Sequence, residues 1–269
     1  MTSDDEARAA FDVLSVPDAP PAEVRSALTL ILLSARPERG VERLSAEGVL
    51  KRVLPEVEDL HGVEQPREFH PEGDVFVHTM RMLSHAAWRT PLLMWSILLH
   101  DIGKAPARTV DPSGVPHFYG HESIGADMAD RLLLRLEMPD RERVRIVSVI
   151  RNHMRFAHAD RIRRSKLVRI LHEENFPLEL ELNRIDCISS HGILDSYLFL
   201  LDRLRMLREE ERLAPPPPFL TGKDLIAAGY PPGPEFRRIL DECGRLQREN
   251  RLTSREEALT RLKQGFFSA

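Results

Sequence analysis

Apolar residues recur at helical spacing along nearly the whole chain. Leu28, Ile31, Leu32 and Ala35 form one stripe, and Val77, Met80, Leu83, His85 and Ala87 a looser one. Ile124, Met128, Leu132 and Leu136 form a third, and Leu178, Leu182, Ile185 and Ile188 a fourth. No stretch alternates apolar and polar residues long enough to predict a sheet. Proline and glycine punctuate the stripes at 37–40, 66–73, 106–120, 139 and 177, and four consecutive prolines occupy 215–218. The pattern predicts an all-α protein in three parts. These are an N-terminal helical segment over 1–70, a central helical domain over 71–192, and a C-terminal helical module over 193–269. The last part should hold a long helix over 195–211, an extended proline link and two or three short helices. Thr253, with Glu256 three residues on, predicts a capping box at the start of the final helix.

Composition narrows the class. The chain has 269 residues, 42% hydrophobic and 30% charged, which excludes collagen-like, mucin-like and wholly disordered chains. Its longest apolar run, over 92–99, is far short of the roughly 20 residues of a membrane span. The acidic start suggests no signal peptide, and two cysteines make no disulfide framework, so a cytoplasmic setting is expected. The net charge of −4 hides an asymmetry: residues 1–74 hold 8 Lys/Arg against 16 Asp/Glu, and residues 141–172 hold 10 against 2. Such a basic block fits either a phosphate-rich partner or a solvated helix face.

The chemistry centres on His100 and Asp101, which end the most apolar helix of the chain. An imidazole and a carboxylate buried side by side are costly unless something satisfies them, and a divalent cation does so. His78 lies 22 residues before His100, His121 lies 21 after it, His153 lies 32 after His121, and Asp186 lies 33 after His153. Each interval is about one helix and its turn, so a bundle can bring all six groups to one pocket. Four imidazoles and two carboxylates suit one or two divalent transition metals, Mn, Fe, Co, Ni or Zn, with Asp101 the natural bridge. His61, His85, His158 and His172 read as ordinary histidines, while His70, His117 and His191 are open.

These residues resemble the HD-domain metal-dependent phosphohydrolases. They resemble most the HD-containing body of bacterial CCA-adding tRNA nucleotidyltransferases and related poly(A) polymerases. The likeness lies in Phe69, His70, Pro71, Glu72, Gly73, Asp74 and His78, in His100-Asp101-Ile102-Gly103-Lys104, in His117 with Gly120-His121-Glu122, and in Asn152-His153-Met154-Arg155. It continues through Arg184-Ile185-Asp186 and Ser190-His191-Gly192, and through the segments 34–40, 220–225, 231–234 and 251–258. The fold implied is an HD-domain helical bundle with flanking N- and C-terminal helices. No Asp-x-Asp pair of a polymerising head occurs in the 269 residues, so nucleotide addition is not expected.

The resemblance implies hydrolysis of phosphomonoesters and 2′,3′-cyclic phosphates of nucleotides or RNA 3′ ends, by metal-activated hydroxide. His78, His100, Asp101 and Asp186 would hold one metal; Asp101, His121 and His153 the other. Lys104 would hold a phosphate oxygen, or else be a cation at a helix C-terminus. Arg155 would clamp phosphate, with Arg163, Arg164 and Lys166 of the basic block meeting RNA. His117 and Glu122 would orient His121, or be plain loop residues. The alternative is a non-catalytic body that binds tRNA or RNA. No membrane partner is expected.

Overall fold

The computed structural model describes residues 4–68, 70–213, 217–249 and 251–265. Phe69 of the family-like segment, and Pro215 and Pro216 of the expected proline link, lie outside them. The fold is all-α, and among the described residues the one sheet is a two-stranded hairpin beside the helices. The chain divides into two compact units, 1–207 and 208–269.

The first unit opens with α1 (Asp4–Ser15), α2 (Pro21–Leu32), α3 (Pro37–Ala46), α4 (Val49–Val53) and α5 (Pro55–Glu58). Prolines at the first positions of α2, α3 and α5 start them where a missing N–H costs nothing. Then follow α6 (Val75–His85), α7 (Pro91–Leu99), α8 (Lys104–Ala107), the strands β1 (Thr109–Val110) and β2 (Pro116–His117), α9 (His121–Arg135) and α10 (Asp140–Asn152). Two short 3₁₀ turns lead to α11 (Arg164–Leu171), α12 (Phe176–Ser189) and α13 (Asp195–Leu213).

Helix α7 is apolar all round, and Leu93 through Leu99 are buried. A helix without a polar face must be surrounded, and α2, α6, α10 and α12 surround it. The Trp95 indole N–H donates to Thr29 Oγ1 of α2 at 3.0 Å, so the largest buried side chain brings its polar atom a partner. Residues of α1 to α5 share one continuous apolar core with α6, α7, α9, α10 and α12. Asp74 sets the entry to α6, accepting from Val77 N at 3.0 Å and from Gly62 N at 2.8 Å.

Two stripes turn out rotated from the expected faces. On α9 the buried positions are His121, Gly125, Ala126, Ala129, Leu132 and Leu133, and Ile124 is exposed. On α6 Val77 is exposed, and His78 and Thr79 take the inward face. The cause on α9 is a glycine crossing. A Cβ on Gly103 would overlap the His121 carbonyl and lie 2.5 Å from the Gly125 amide nitrogen. Only a backbone without side chains lets the segment after α7 lie this close to α9, and that contact selects the small-residue face.

The second unit contains α14 (Gly222–Ala227), α15 (Pro234–Arg248) and α16 (Arg255–Lys263) around Leu225, Ile239, Cys243, Leu246 and Leu262. The cap of α16 is displaced by one residue from the expected Thr253/Glu256 pair. Ser254 is the N-cap and accepts from Glu257 N at 3.1 Å, while the Glu257 carboxylate accepts from Thr253 N at 3.0 Å. A capping box of the expected kind instead opens α14, at Thr221 and Asp224.

Gly103→Ala is expected to destabilise the first unit by about 1–3 kcal/mol through overpacking against α9. Thermal unfolding checks this, and an unchanged melting temperature would refute the crossing as a tight constraint.

Candidate metal centre

The sequence-predicted ligands sit at the ends of elements more than inside them. His100 and Asp101 directly follow α7, His121 is the first residue of α9, and His153 directly follows α10; only His78 and Asp186 lie within helices, α6 and α12. At the helix ends one local device recurs three times. Each imidazole turns its Nδ1 to the carbonyl three residues before it: His100 to Ile97 O at 2.8 Å, His121 to Phe118 O at 2.8 Å, and His153 to Ile150 O at 2.6 Å. A carbonyl only accepts, so Nδ1 carries the hydrogen and Nε2 is left with its lone pair. His78 reaches the same state through Glu72, whose Oε1 accepts from Nδ1 at 2.7 Å.

The four Nε2 atoms then converge with carboxylate oxygens. His78 Nε2 lies 3.1 Å from Asp186 Oδ1, and His100 Nε2 lies 3.0 Å from Asp101 Oδ2. Asp101 Oδ1 lies 3.4 Å from His121 Nε2 and 3.7 Å from His153 Nε2. The Nε2 atoms of His121 and His153 face each other at 3.1 Å. His78, His100, Asp101, His121 and His153 are all buried. With Nδ1 as the donor, lone pair faces lone pair at His100, His121 and His153, while His78 Nε2 faces the Asp186 carboxylate. Buried acceptors facing one another demand protons or cations between them. Two sets of ligand atoms, one each from His78, His100 and Asp101 and one each from Asp101, His121 and His153, each lie within 4.8 Å of one another. The donor set fits divalent transition metals, with Asp101 common to both halves.

Ionisation follows the same geometry. Burial raises the Asp101 carboxyl, but His100 and Lys104 outweigh it and hold it well below the usual carboxylate range. Burial likewise opposes the charge on Asp186, and His78 reverses the balance. For His78, burial pulls down while Asp186 and Glu72 lift it to about 9. Burial pushes His153 down to about 4, with Asp101 opposing and His100 and His121 adding to the fall, so this imidazole is neutral.

Lys104 is the first residue of the single turn α8. Its Nζ lies 2.7 Å from Asp101 Oδ2 and donates to Gln65 Oε1 at 2.7 Å. A cavity of about 610 Å³ opens over the cluster; Asp101, Lys104, His121, His153 and Asp186 are in its wall.

Arg155 does not take the expected position. Its guanidinium is turned to Glu173, at 2.7 Å, and to the buried Glu179, and it is not in the cavity wall. A buried carboxylate needs a cation more than an exposed site does, which holds Arg155 away from phosphate. Much of the basic block is likewise internally matched. Arg143 pairs with Asp130 and Asp140, Arg145 with Glu174, and Arg151 with Asp127. Arg163, Arg164 and Lys166 are exposed and outside the cavity. Of the two expected orienting residues, His117 bonds Asp111 at 3.2 Å, and Glu122 lies 3.7 Å from a His121 Nδ1 already committed to Phe118 O.

The residue that does orient a candidate ligand is Glu72. Burial raises its carboxyl, but the His78 hydrogen bond outweighs this and brings it to about 2. Arg81 at 3.0 Å and His70 at 3.1 Å complete its partners. The sequence places Glu72 six residues before His78 but across a helix start, where no helical periodicity relates them.

Residues 75–186 match the HD domain family model. Over 229 residues, 81% of this chain and 52% of the relative, the chain is 33% identical to the A-adding tRNA nucleotidyltransferase of Deinococcus radiodurans. It is 36% identical to the multifunctional CCA protein of Azoarcus sp. over 171 residues, 60% of this chain and 40% of that one. It is 37% identical to the multifunctional CCA protein of Aromatoleum aromaticum over 173 residues, 61% of this chain and 42% of that one. The chain spans about half the length, or less, of these relatives. It carries an HD domain, within a longer stretch homologous to A-adding and CCA tRNA nucleotidyltransferases.

Proposed function

We propose that this chain is a divalent-metal-dependent phosphohydrolase acting on phosphate esters of nucleotides or RNA 3′ ends, 2′,3′-cyclic phosphates among them. The observation that carries the reading is the convergence of four imidazole Nε2 atoms on the carboxylates of Asp101 and Asp186, with Lys104 the ammonium within reach of Asp101. His78, His100, Asp101 and Asp186 would hold one ion, and Asp101, His121 and His153 a second. An ion there, when bound, supplies Lewis acidity: it lowers the pKa of a water and offsets charge on a phosphoryl group. The HD match supports metal-dependent hydrolysis in general. The relatives' names support a tRNA end as one form of the substrate.

The chain's own residues prepare the site before any substrate arrives. The backbone carbonyls of Ile97, Phe118 and Ile150 fix three imidazoles in one tautomer, so no rearrangement is needed to present Nε2. Glu72 does this for His78 and, being ionised, strengthens that nitrogen as a donor to metal. Lys104 is anchored by Asp101 and Gln65 with its ammonium in the cavity wall, where a phosphate oxygen can accept from it. The exposed basic residues Arg163, Arg164 and Lys166 favour an RNA chain beyond the reacting end. A body that only binds tRNA would use that surface and leave the buried cluster without a role.

Three outcomes test the reading. Purified protein should contain one or two transition metals per chain by elemental mass spectrometry, and Asp101→Ala should lose both metal and hydrolysis of 2′,3′-cyclic AMP. A metal-free, inactive wild type that binds tRNA would replace the enzyme by the binding body. Glu72→Gln should weaken Mn²⁺ binding by about 10–100-fold while the fold persists; unchanged affinity would remove Glu72 from the site. Because His78 titrates near 9 in the metal-free protein, a proton must leave when metal enters at neutral pH. Mn²⁺ affinity should therefore rise by about tenfold per pH unit for each proton released, and level off above pH 9. Calorimetry in buffers of different ionisation enthalpy reads the proton release, and a pH-independent affinity would contradict it.

A further inference from the structure

The wall of the cavity over the metal centre includes an aromatic stretch that the hydrolytic reading leaves without a task. There the hairpin of β1 and β2 runs into α9, and His117, Phe118 and Tyr119 form the wall. Tyr119 is 79% exposed although it lines a cavity. Its ring stacks on that of His117, with centroids 5.3 Å apart and planes 8° from parallel. His117 is in turn held by Asp111 Oδ2 at 3.2 Å. Asp111 Oδ1 closes the hairpin turn, accepting from Ser113 N at 2.9 Å, Ser113 Oγ at 2.6 Å and Val115 N at 2.9 Å. One face of Tyr119 is thus backed by a braced ring. An aromatic platform held this way loses little freedom when a second ring stacks on it.

Two polar atoms in the same cavity lack partners. Gln65 Nε2 and Asn183 Oδ1 are buried and make no hydrogen bond, and both residues line the wall. They are one donor and one acceptor, uncommitted, beside a lysine and a metal-type cluster. A cavity of about 610 Å³ is within the range that takes a nucleotide-sized ligand.

From this juxtaposition we infer that the cavity binds a nucleoside phosphate in one orientation, its phosphate at Lys104 and the metal centre and its base stacked on the open face of Tyr119. The inference rests on the phosphohydrolase reading for its phosphate half and deepens it for the rest. The preferred ligand is a phosphate ester bearing a nucleobase. Gln65 and Asn183 meet its polar edges. Stacking has no strong base preference, because every base has a π-face.

Equilibrium binding separates the two halves. The probes are a non-hydrolysable phosphonate analogue of adenosine 3′-phosphate and the ringless methylphosphonate, titrated calorimetrically into Mn²⁺-loaded full-length chain. The wild type should bind the nucleoside analogue at least tenfold more tightly than methylphosphonate. Tyr119→Ala should lose about tenfold for the nucleoside analogue and nothing for methylphosphonate, and Tyr119→Phe should stay within twofold of wild type. The same loss for both probes would overturn the inference. So would unchanged binding in Tyr119→Ala, a Tyr119→Phe variant as weak as the alanine one, or no binding of the analogue by the wild type. A wild type that shows the Tyr119-dependent preference but hydrolyses no phosphate ester would uphold the base subsite and remove the hydrolase reading alone.

Discussion

A carboxylate 2% exposed, surrounded by imidazoles whose lone pairs point at it, is the constraint on which the rest of this structure depends. Asp101 cannot sit there uncompensated, because burying a lone carboxylate costs far more than any single packing interaction returns. Lys104 and the histidine cluster provide the compensation; Lys104 and His100 flank Asp101 in one segment, and His78, His121 and His153 come from three others. The helices of the first unit are therefore more than a container. Together they are the scaffold that brings three other segments to one carboxylate.

Helix ends suit this task for a physical reason. The last carbonyls of a helix have no intrahelical N–H partner. At the ends of α7 and α10, Ile97 O and Ile150 O each take up the Nδ1 of the histidine three residues later, Ile150 O while it also accepts from the backbone N–H at the cap. Each such hydrogen bond fixes an imidazole tautomer. His121 uses the carbonyl of Phe118, in the turn before α9, in the same way. His78 lies within α6, where carbonyls are taken by the helix itself, and it relies on Glu72 instead.

Packing supplies the remaining precision. The Gly103–Gly125 crossing presses the segment after His100-Asp101 onto the start of α9 and so sets the approach of His121 to Asp101. The buried α7 anchors the other side, its position fixed by the helices around it. The cavity wall then combines the charged cluster with the aromatic residues that follow the hairpin.

Much of this was open to reading along the chain. Helical periodicity with proline and glycine punctuation determined the all-α class, and a His-Asp pair after an apolar run broken only by Ser96 marked a buried polar group in need of a cation. Such features are local, set by neighbours within a turn or two. The partners of long side chains are not local. Arg155 follows His153 by two residues, yet its guanidinium goes to Glu173 and Glu179, because a buried carboxylate captures the nearest cation in space. Arginines of the basic block are likewise matched by acids from elsewhere in the chain, the exposed Asp127 and half-buried Asp130 of α9 and Glu174. Ile124 follows the apolar stripe of α9 but lies outside, since the glycine crossing decides which face of that helix is inward. Glu72 and Tyr119 gain their significance from rings and nitrogens that the fold brings beside them. Composition and spacing determine what each segment is, and only the tertiary structure decides what each charged or aromatic side chain faces, because its reach of several ångströms spans elements far apart in sequence.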